Sequence, residues 1–438
     1  MEFLRKNYER LLKDGYIAPE LYDKYKVKRG LRNDNGTGVL VGLTKVSDVC
    51  GYDVVDDVKV PVKGRLYYRG YDIADIAKLN GNEFGFEKTA FLLLFGHMPD
   101  KEEIKEFDKI LSDQYALPKD FLENIILKNP SRSLMNHIMR SILSLYSFDE
   151  NPDDIAPYSL LNKGISIMAK MPALISYSLQ AKTHYLDGDS LHIQFPKKDY
   201  SIAQNILYMS RNNGEFSDLE AKTLDMALMV HADHGGGNNS TFTGTVVAST
   251  NTDIYSMLAA SMASLKGPRH GGANEAALDM MDYIINDIGV NANDDKISKT
   301  LDKLLAKEYF NKAGLIYGIG HAVYTTSDPR CELLRQKARV LSKDKEGFDE
   351  RFKFYERFEK LAIEKLQEKK KISICANVDF YSGLIYRMLN IPRELFIPMF
   401  ACARTVGWIS HNIESMIYSN RIVRPATKYL GKMEKFDE

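Results

Sequence analysis

The 438-residue sequence predicts an all-α protein with little strand. Three observations carry that expectation. Helix-start chemistry recurs along the chain, as in the capping box Ser217-Asp-Leu-Glu220, where the serine and the glutamate can satisfy each other's backbone donors. Apolar residues repeat at helical spacing, while only two short stretches read as strand. Alternating strand and helix runs with a glycine-rich phosphate turn are absent, which argues against a doubly wound α/β fold.

Each element has its own signal. An N-terminal helical pair leads into a polar, glycine- and asparagine-rich stretch at 26–38, and residues 39–43 and 64–68 are the candidate short strands. Residues 86–95 read as a helix stopped by Gly96, with Pro99 beyond. The segments 149–154 and 197–199 look like surface connections. The capping box opens a helix through 224–230. Ala277, Leu278, Met281 and Ile284 share one face of a helix over 275–285, so Gly271 and Gly272 stand at its entrance. Ile297, Leu301, Leu304 and Leu305 mark a further face, as do Phe354, Phe358 and Leu361. Asp328-Pro329-Arg330 reads as N-cap, N1 and N2 of another helix. Residues 380–389 and the apolar run 401–408 complete the set.

Composition bounds the function. The length favours two domains, and a 44% hydrophobic content is ample for a core. Basic and acidic residues number 59 each, which leaves no whole-chain electrostatic footprint for nucleic acid or an acidic membrane. Cys50, Cys331, Cys375 and Cys402 are far apart and form no CxxC pair, as expected for reduced thiols in a cytoplasmic protein. The first ten residues are too charged for a signal peptide, and no apolar run approaches membrane-spanning length.

Polar groups gather at glycines and helix starts. His270 stands before Gly271-Gly272, where the positive end of a helix dipole disfavours its protonated form, and a neutral imidazole there can donate to a carbonyl or an enolate. Capping the helix is the simpler role for it. His321 follows Gly318-Ile-Gly320, which lets the backbone approach a ligand closely. Arg330 sits at an anion-friendly helix start with a fork suited to a carboxylate, although pairing with an acidic neighbour is the commoner fate of an arginine. Asp379 precedes the helix at 380–389; alone it reads as an ordinary cap, and in a dry site as a general base of raised pKa. Arg404 is a lone charge in an apolar helix and must find a partner. Arg424 precedes Pro425 near Arg421, so a solvated basic patch is its simpler role. His231 and His234 share the end of the capped helix. Their HxxH spacing suits a metal, yet no HExxH or third ligand follows, and Gly235-Gly236-Gly237 lacks the lysine of a phosphate loop. Three arginines, three histidines and one aspartate in such contexts point to a dicarboxylate whose carbonyl is attacked by carbon.

Over about nine-tenths of its length the chain resembles the citrate synthase family. The specific segments are GPRHGGANEAAL at 267–278, GIGHAVYTTSDPR at 318–330 and NVDFYSG at 377–383. That resemblance implies a fold with a large helical domain, 1–271 with 385–438, a small one, 272–384, and an active-site cleft between them. It makes His270 the group that holds the acetyl-CoA thioester oxygen, Asp379 the base and His321 the donor to the oxaloacetate ketone. His234, Arg330 and Arg404 become ligands of oxaloacetate. Arg424 matches an arginine contributed by a second subunit, which implies a homodimer. Leu315, Gly318, Gly320 and Asn377 match regions that touch CoA, with Lys370 a candidate phosphate contact; Thr325 stands where relatives often carry a basic residue. The implied reaction is condensation of acetyl-CoA with oxaloacetate to citrate, at the entry of the tricarboxylic acid cycle, with no metal or redox cofactor, no nucleic acid and no membrane. Propionyl-CoA, giving 2-methylcitrate, is the alternative within the same chemistry. A metal-dependent hydrolase using His231 and His234, or a non-enzymatic helical scaffold, are the rivals outside it.

Overall fold

The computed structural model describes residues 2–419, 421–431 and 433. In chain order the elements are α1 (Glu2–Asp14), α2 (Glu20–Lys24), β1 (Ser47–Val55), β2 (Val58–Tyr68), β3 (Tyr71–Asp72), α3 (Ile73–Asn80), α4 (Phe86–Phe95), α5 (Lys101–Asp113), α6 (Leu134–Leu145), α7 (Pro157–Asp187), α8 (Ile202–Ser210), α9 (Asp218–His231), α10 (Asn239–Ala248), α11 (Ile254–Lys266), α12 (Ala273–Ile288), α13 (Asp294–Leu305), α14 (Pro329–Asp344), α15 (Phe348–Lys370), α16 (Val378–Met388) and α17 (Phe396–Tyr418). The all-α expectation holds. The strands form one small sheet in the order β1-β2-β3, with Tyr67 opposite Asp72 and Tyr68 opposite Tyr71 in an antiparallel register.

The strand expected at 64–68 is the end of β2, but the one expected at 39–43 is irregular chain. Leu40 and Leu43 are exposed there, so no partner surface rewards an extended ladder. The helix signals fare better. Ser217 and Glu220 form the expected capping box, and boxes also open α5 at Asp100 and α8 at Ser201. Gly96 ends α4 in the left-handed conformation, at φ 87°.

Two compact units emerge. One comprises Met1–Gly42, Val54–Lys59 and Val423–Glu438; in it Lys59 donates to the Gly36 carbonyl and Asn35 to the Asp57 carbonyl. The other comprises Leu43–Asp53 and Val60–Ile422, and both boundaries expected from the sequence, 271/272 and 384/385, fall inside it. At its centre are helices apolar around their whole circumference, which only burial on all sides accommodates. The middle of α7 and the first two-thirds of α17 are of this kind, and they pack together. A Cβ on Gly164 of α7 would come within 2.6 Å of Ile409 on α17, so glycine sets how closely the helices approach.

Candidate active site

The site grows from the turn between α9 and α10. His231 is the last residue of α9, and its Nδ1 bonds the Ala227 carbonyl at 2.6 Å. Asp233 follows, fully buried. Its Oδ2 accepts from the Gly235 backbone N–H at 2.9 Å, from His411 Nε2 at 3.2 Å and from the Ser47 hydroxyl. Burial alone would oppose its ionisation, but His411, Arg404 and Ser47 hold Asp233 below the usual carboxylate range. Tyr68 of β2 donates its hydroxyl to the Asp233 carbonyl at 3.1 Å and accepts from the Asp233 N–H at 3.2 Å. The turn that presents His234 is thus tied to β1, β2 and α17. Asn238 then caps α10 by accepting from the Ser240 N–H.

Arg404 lies in α17 with no exposure. Its Nε donates to the His231 carbonyl at 2.7 Å, while Nη1 and Nη2 have no hydrogen-bond partner among the described residues. Burial lowers its pKa to about 10, so it stays charged at neutral pH. His234 Nε2 is likewise buried without a partner among the described residues. Burial first, then Arg330, His321 and Arg404, push the His234 pKa far down, so its imidazole is neutral.

Opposite this turn stands the loop before α14. Gly318 has φ 81°, and a Cβ there would lie 2.8 Å from the Phe380 ring. The glycine therefore lets the loop run against α16. Gly318 accepts from the Asn377 N–H at 2.8 Å, Gly320 donates to the Cys375 carbonyl at 2.7 Å, and the Asn377 side chain donates to the Gly320 carbonyl at 2.7 Å. These bonds stitch the His321 loop to the start of α16. His321 Nδ1 accepts from the Val323 and Tyr324 N–H groups, each at 3.0 Å, which leaves the ring proton of a neutral imidazole on Nε2. From outside, Gly64 N–H donates to Ser327 Oγ at 3.1 Å and Thr326 to the Val62 carbonyl at 2.6 Å.

The two sides meet at aromatic and histidine rings. His234 and His321 lie edge to face with centroids 5.3 Å apart, and His321 stacks on Tyr324 at 4.7 Å. The Arg330 guanidinium sits 5.4 Å from the Tyr324 ring centre. Asp328 is the expected cap of α14 and also holds Arg330 through a buried two-point ion pair.

Asn377, not Asp379, caps α16. Asp379 lies inside the first turn, half-buried, and its carboxylate is free of the capping duty that was its simpler reading. Burial raises its pKa to about 6, against the opposing field of Arg330. His270 occupies the turn before α12, with Nε2 at 3.1 Å from Asn238 Oδ1 and 3.2 Å from Ser240 Oγ. Its pKa falls to about 4, through burial and then Arg404, so it too is neutral.

The geometry thus brings His234, His321 and Arg330 together directly, and Arg404, His270 and Asp379 within the same electrostatic neighbourhood. Gly318, Gly320 and Asn377 line one stitched loop. Leu315 is 54% exposed, Lys370 is exposed at the end of α15, and Arg424 is exposed in irregular chain of the other unit. Sequence reasoning missed Asp233, Ser240, Tyr324 and the second duty of Asp328. Only Asp328 carried a signal, as a cap. Chemically, the arrangement offers buried donors to an anion, neutral imidazoles to a carbonyl, and one carboxylate of raised basicity to a carbon acid.

The site is of the acid-base kind that enzymes use, on a scaffold whose regular elements are mostly helices. The family described as "Citrate synthase, C-terminal domain" matches residues 35–426. "Citrate synthase 2" of Bacillus subtilis is 34% identical over 399 residues, spanning 90% of this chain and 94% of that protein. The "2-methylcitrate synthase" of Shewanella oneidensis is 31% identical over 366 residues, spanning 84% of this chain and 88% of that protein. The crystal structure of citrate synthase from Pyrobaculum aerophilum superimposes with a TM-score of 0.77 at 28% identity, covering 90% of this chain and 91% of that one. The chain belongs to the citrate synthase family and is an acyltransferase of that type. Among the described residues no helix is long and apolar enough to cross a membrane.

Proposed function

We propose that this enzyme is a citrate synthase, condensing acetyl-CoA with oxaloacetate and hydrolysing citryl-CoA to citrate and CoA. The observation that carries the reading is Asp379: a carboxylate released from capping, raised to a pKa of about 6 by burial, in the field of Arg330.

The steps follow from the chemistry. Arg330 and Arg404, with His234, hold the oxaloacetate carboxylates by charge-assisted hydrogen bonds. A thioester methyl is a weak carbon acid, and Asp379 removes its proton while His270 donates to the thioester oxygen and stabilises the enolate. A neutral His270 suits this task, since an N–H near in acidity to the enol shares its proton without surrendering it. The enolate carbon attacks the ketone of oxaloacetate, whose oxygen is polarised by the Nε2 proton of His321. Water then cleaves citryl-CoA, which makes the sequence irreversible in practice. Leu315, Gly318, Gly320, Lys370 and Asn377 form the CoA side of the site in this reading.

The reading includes a large domain of 1–271 with 385–438, a small domain of 272–384, and closure of the cleft between them. It also includes a cytoplasmic homodimer in which each site borrows Arg424 from the other subunit. No metal or redox group enters any step. The second reading, 2-methylcitrate synthesis from propionyl-CoA, draws support from the Shewanella relative, which matches nearly as well as the citrate synthases. One methylene is worth roughly 1–3 kcal/mol of discrimination, or about 10- to 200-fold in kcat/KM. A thiol-release assay with oxaloacetate, run in parallel with acetyl-CoA and propionyl-CoA, decides between them. Citrate synthesis requires acetyl-CoA to win by at least about tenfold, and no thiol release from either would overturn both readings.

A further inference from the structure

The ribbon of β1 and β2 touches both sides of the site. Ser47 and Gly51 fall on one face of β1, and Val62, Gly64 and Tyr68 on one face of β2, because strand side chains alternate. At the base of the ribbon, Ser47 and Tyr68 hold the turn of His234 through Asp233. Further out, Gly51, Val62 and Gly64 lie against the loop of His321. A Cβ on Gly51 would come within 2.5 Å of the Val323 carbonyl oxygen and 2.7 Å of Tyr324 Cα, and one on Gly64 would collide with the Ser327 carbonyl. Ribbon and loop therefore meet backbone to backbone, an approach that glycine permits.

Three consecutive side chains of the loop bond the ribbon. Thr325 Oγ1 donates to the Gly51 carbonyl, Thr326 Oγ1 donates to the Val62 carbonyl at 2.6 Å, and Ser327 Oγ accepts from the Gly64 N–H at 3.1 Å. Helix capping does not account for them, since Asp328 caps α14. Thr326 is exposed, so water competes for its bond, while Thr325 and Ser327 are half-buried. What they hold is the support of His321. Gly51 presses on Val323 and Tyr324, whose N–H groups each bond His321 Nδ1, and the Tyr324 ring stacks on that of His321. The ends of the loop are fixed at Gly320, bonded to Cys375, and at Asp328. The ribbon holds the span between them.

We propose that Thr325 and Ser327 are positioning residues for His321: they strap its loop to the ribbon that also holds the turn of His234, and so fix one histidine relative to the other across the site. The proposal rests on the reading of His321 as the donor to the oxaloacetate ketone. In that reading Arg330, Arg404 and His234 hold the carboxylates, and none of them depends on the strap. Arg330 is aimed by Asp328, Arg404 lies in α17, and His234 is tied to the base of the ribbon. A loosened strap leaves oxaloacetate bound and its ketone without an aligned donor. The effect falls on the step in which charge develops on the ketone oxygen, and not on oxaloacetate binding.

Thr325→Val removes one hydroxyl at nearly constant shape, Thr325→Ser returns it, and Ser327→Ala removes the acceptor of the Gly64 N–H. These variants, Thr325→Val combined with Ser327→Ala, His321→Ala, and Thr325→Val combined with His321→Ala are assayed with oxaloacetate and whichever of acetyl-CoA and propionyl-CoA turns over faster. Calorimetry measures oxaloacetate binding. The expected result is a roughly fivefold fall in kcat for Thr325→Val and for Ser327→Ala, the equivalent of one neutral hydrogen bond each, and a larger fall for the pair, at unchanged Kd for oxaloacetate. Thr325→Ser should turn over like the wild type. Thr325→Val should cost nothing more once residue 321 is alanine, because it acts through His321. An unchanged kcat in the pair, a Kd that rises as much as kcat falls, no rescue by Thr325→Ser, or losses that multiply with His321→Ala would overturn the proposal. Wild-type turnover in His321→Ala would instead overturn the reading of His321, and the proposal with it, whatever residues 325 and 327 do.

Discussion

Asp328 binds Arg330 at two points and caps two helices at once. Its Oδ1 accepts from the Arg330 backbone N–H and from Nε, each at 3.0 Å, and its Oδ2 accepts from Nη2 at 2.7 Å. Oδ2 also accepts from the Val378 N–H at 3.1 Å, at the start of α16. One buried carboxylate therefore aims a guanidinium and joins the two helices that carry Arg330 and Asp379. Burial opposes the charge on Arg330, but Asp328 outweighs it and holds the arginine's pKa above its ordinary value.

Removing that carboxylate leaves a buried guanidinium without its counter-ion. Asp328→Ala should cost about 3–5 kcal/mol of stability in urea unfolding, as broken buried pairs do. The double variant Asp328→Ala with Arg330→Met should recover most of the loss, since no unpaired charge remains, yet show no measurable oxaloacetate binding. A double variant no more stable than Asp328→Ala would show that the cap, and not the ion pair, carries the effect.

Asp379 makes a paired prediction. Asp379→Asn should retain oxaloacetate binding and lose about 10²–10⁴-fold in turnover, because the amide keeps the size and not the basicity. In the wild type, kcat/KM for the acyl-CoA should rise with pH through a step near 6, where the carboxylate ionises. Stability must move the other way. A carboxyl whose pKa is raised on folding favours the folded state at low pH and loses that contribution as pH climbs through the folded value. Asp379→Asn should therefore match the wild type below about pH 4, and become the more stable protein above about 6. Thermal melts across pH 4 to 8 measure this, and a wild type that gains on the variant as pH rises would refute the burial of this carboxylate.

Arg404 carries a charge with two nitrogens that have no partner among the described residues, a cost that only an anionic ligand offsets. Arg404→Met should raise the melting temperature of the free enzyme. It should also weaken oxaloacetate binding by roughly 10- to 100-fold, the worth of a charge-assisted hydrogen bond, and leave CoA binding unchanged. Calorimetric titration with each ligand separates the two effects, and equal losses for both would mark the arginine as structural.

The proposed sharing of Arg424 is testable by mixing. Subunits carrying Asp379→Asn alone and subunits carrying Arg424→Ala alone should both be inactive. Mixed dimers would combine the intact Asp379 of one subunit with the intact Arg424 of the other at one of their two sites. They should regain up to about half the activity of a wild-type dimer. Mixed dimers verified by size that stay as inactive as either parent would rule out a shared site.

Much of this molecule could be read from its sequence, and the legible part is local. Ser217 and Glu220, Asp328 with Pro329, and Gly96 act on backbone within a few residues of themselves, so their helices could be placed from the chain alone. The glycines before His321 likewise announced close backbone approach, and those after His270 a helix entrance. Even so, local signals misled where two candidates stood side by side. Asp379 looked like a cap, and Asn377 two residues earlier took that duty, which is what leaves the aspartate available.

The tertiary structure decided which of the polar groups became charged, neutral or paired. Arg404 keeps two nitrogens without a hydrogen-bond partner among the described residues because its stretch of α17 is buried on every side and its Nε is engaged by a carbonyl 173 positions away. Asp233 is ionised because Ser47 and His411, 186 and 178 positions from it, converge on one oxygen. The sequence alone determined those helices whose caps and apolar spacing are local, the family and the short list of reactive side chains, since hydrogen bonds between near neighbours obey spacing. Basicity and charge state came from desolvation, which depends on segments that meet only when the chain has folded.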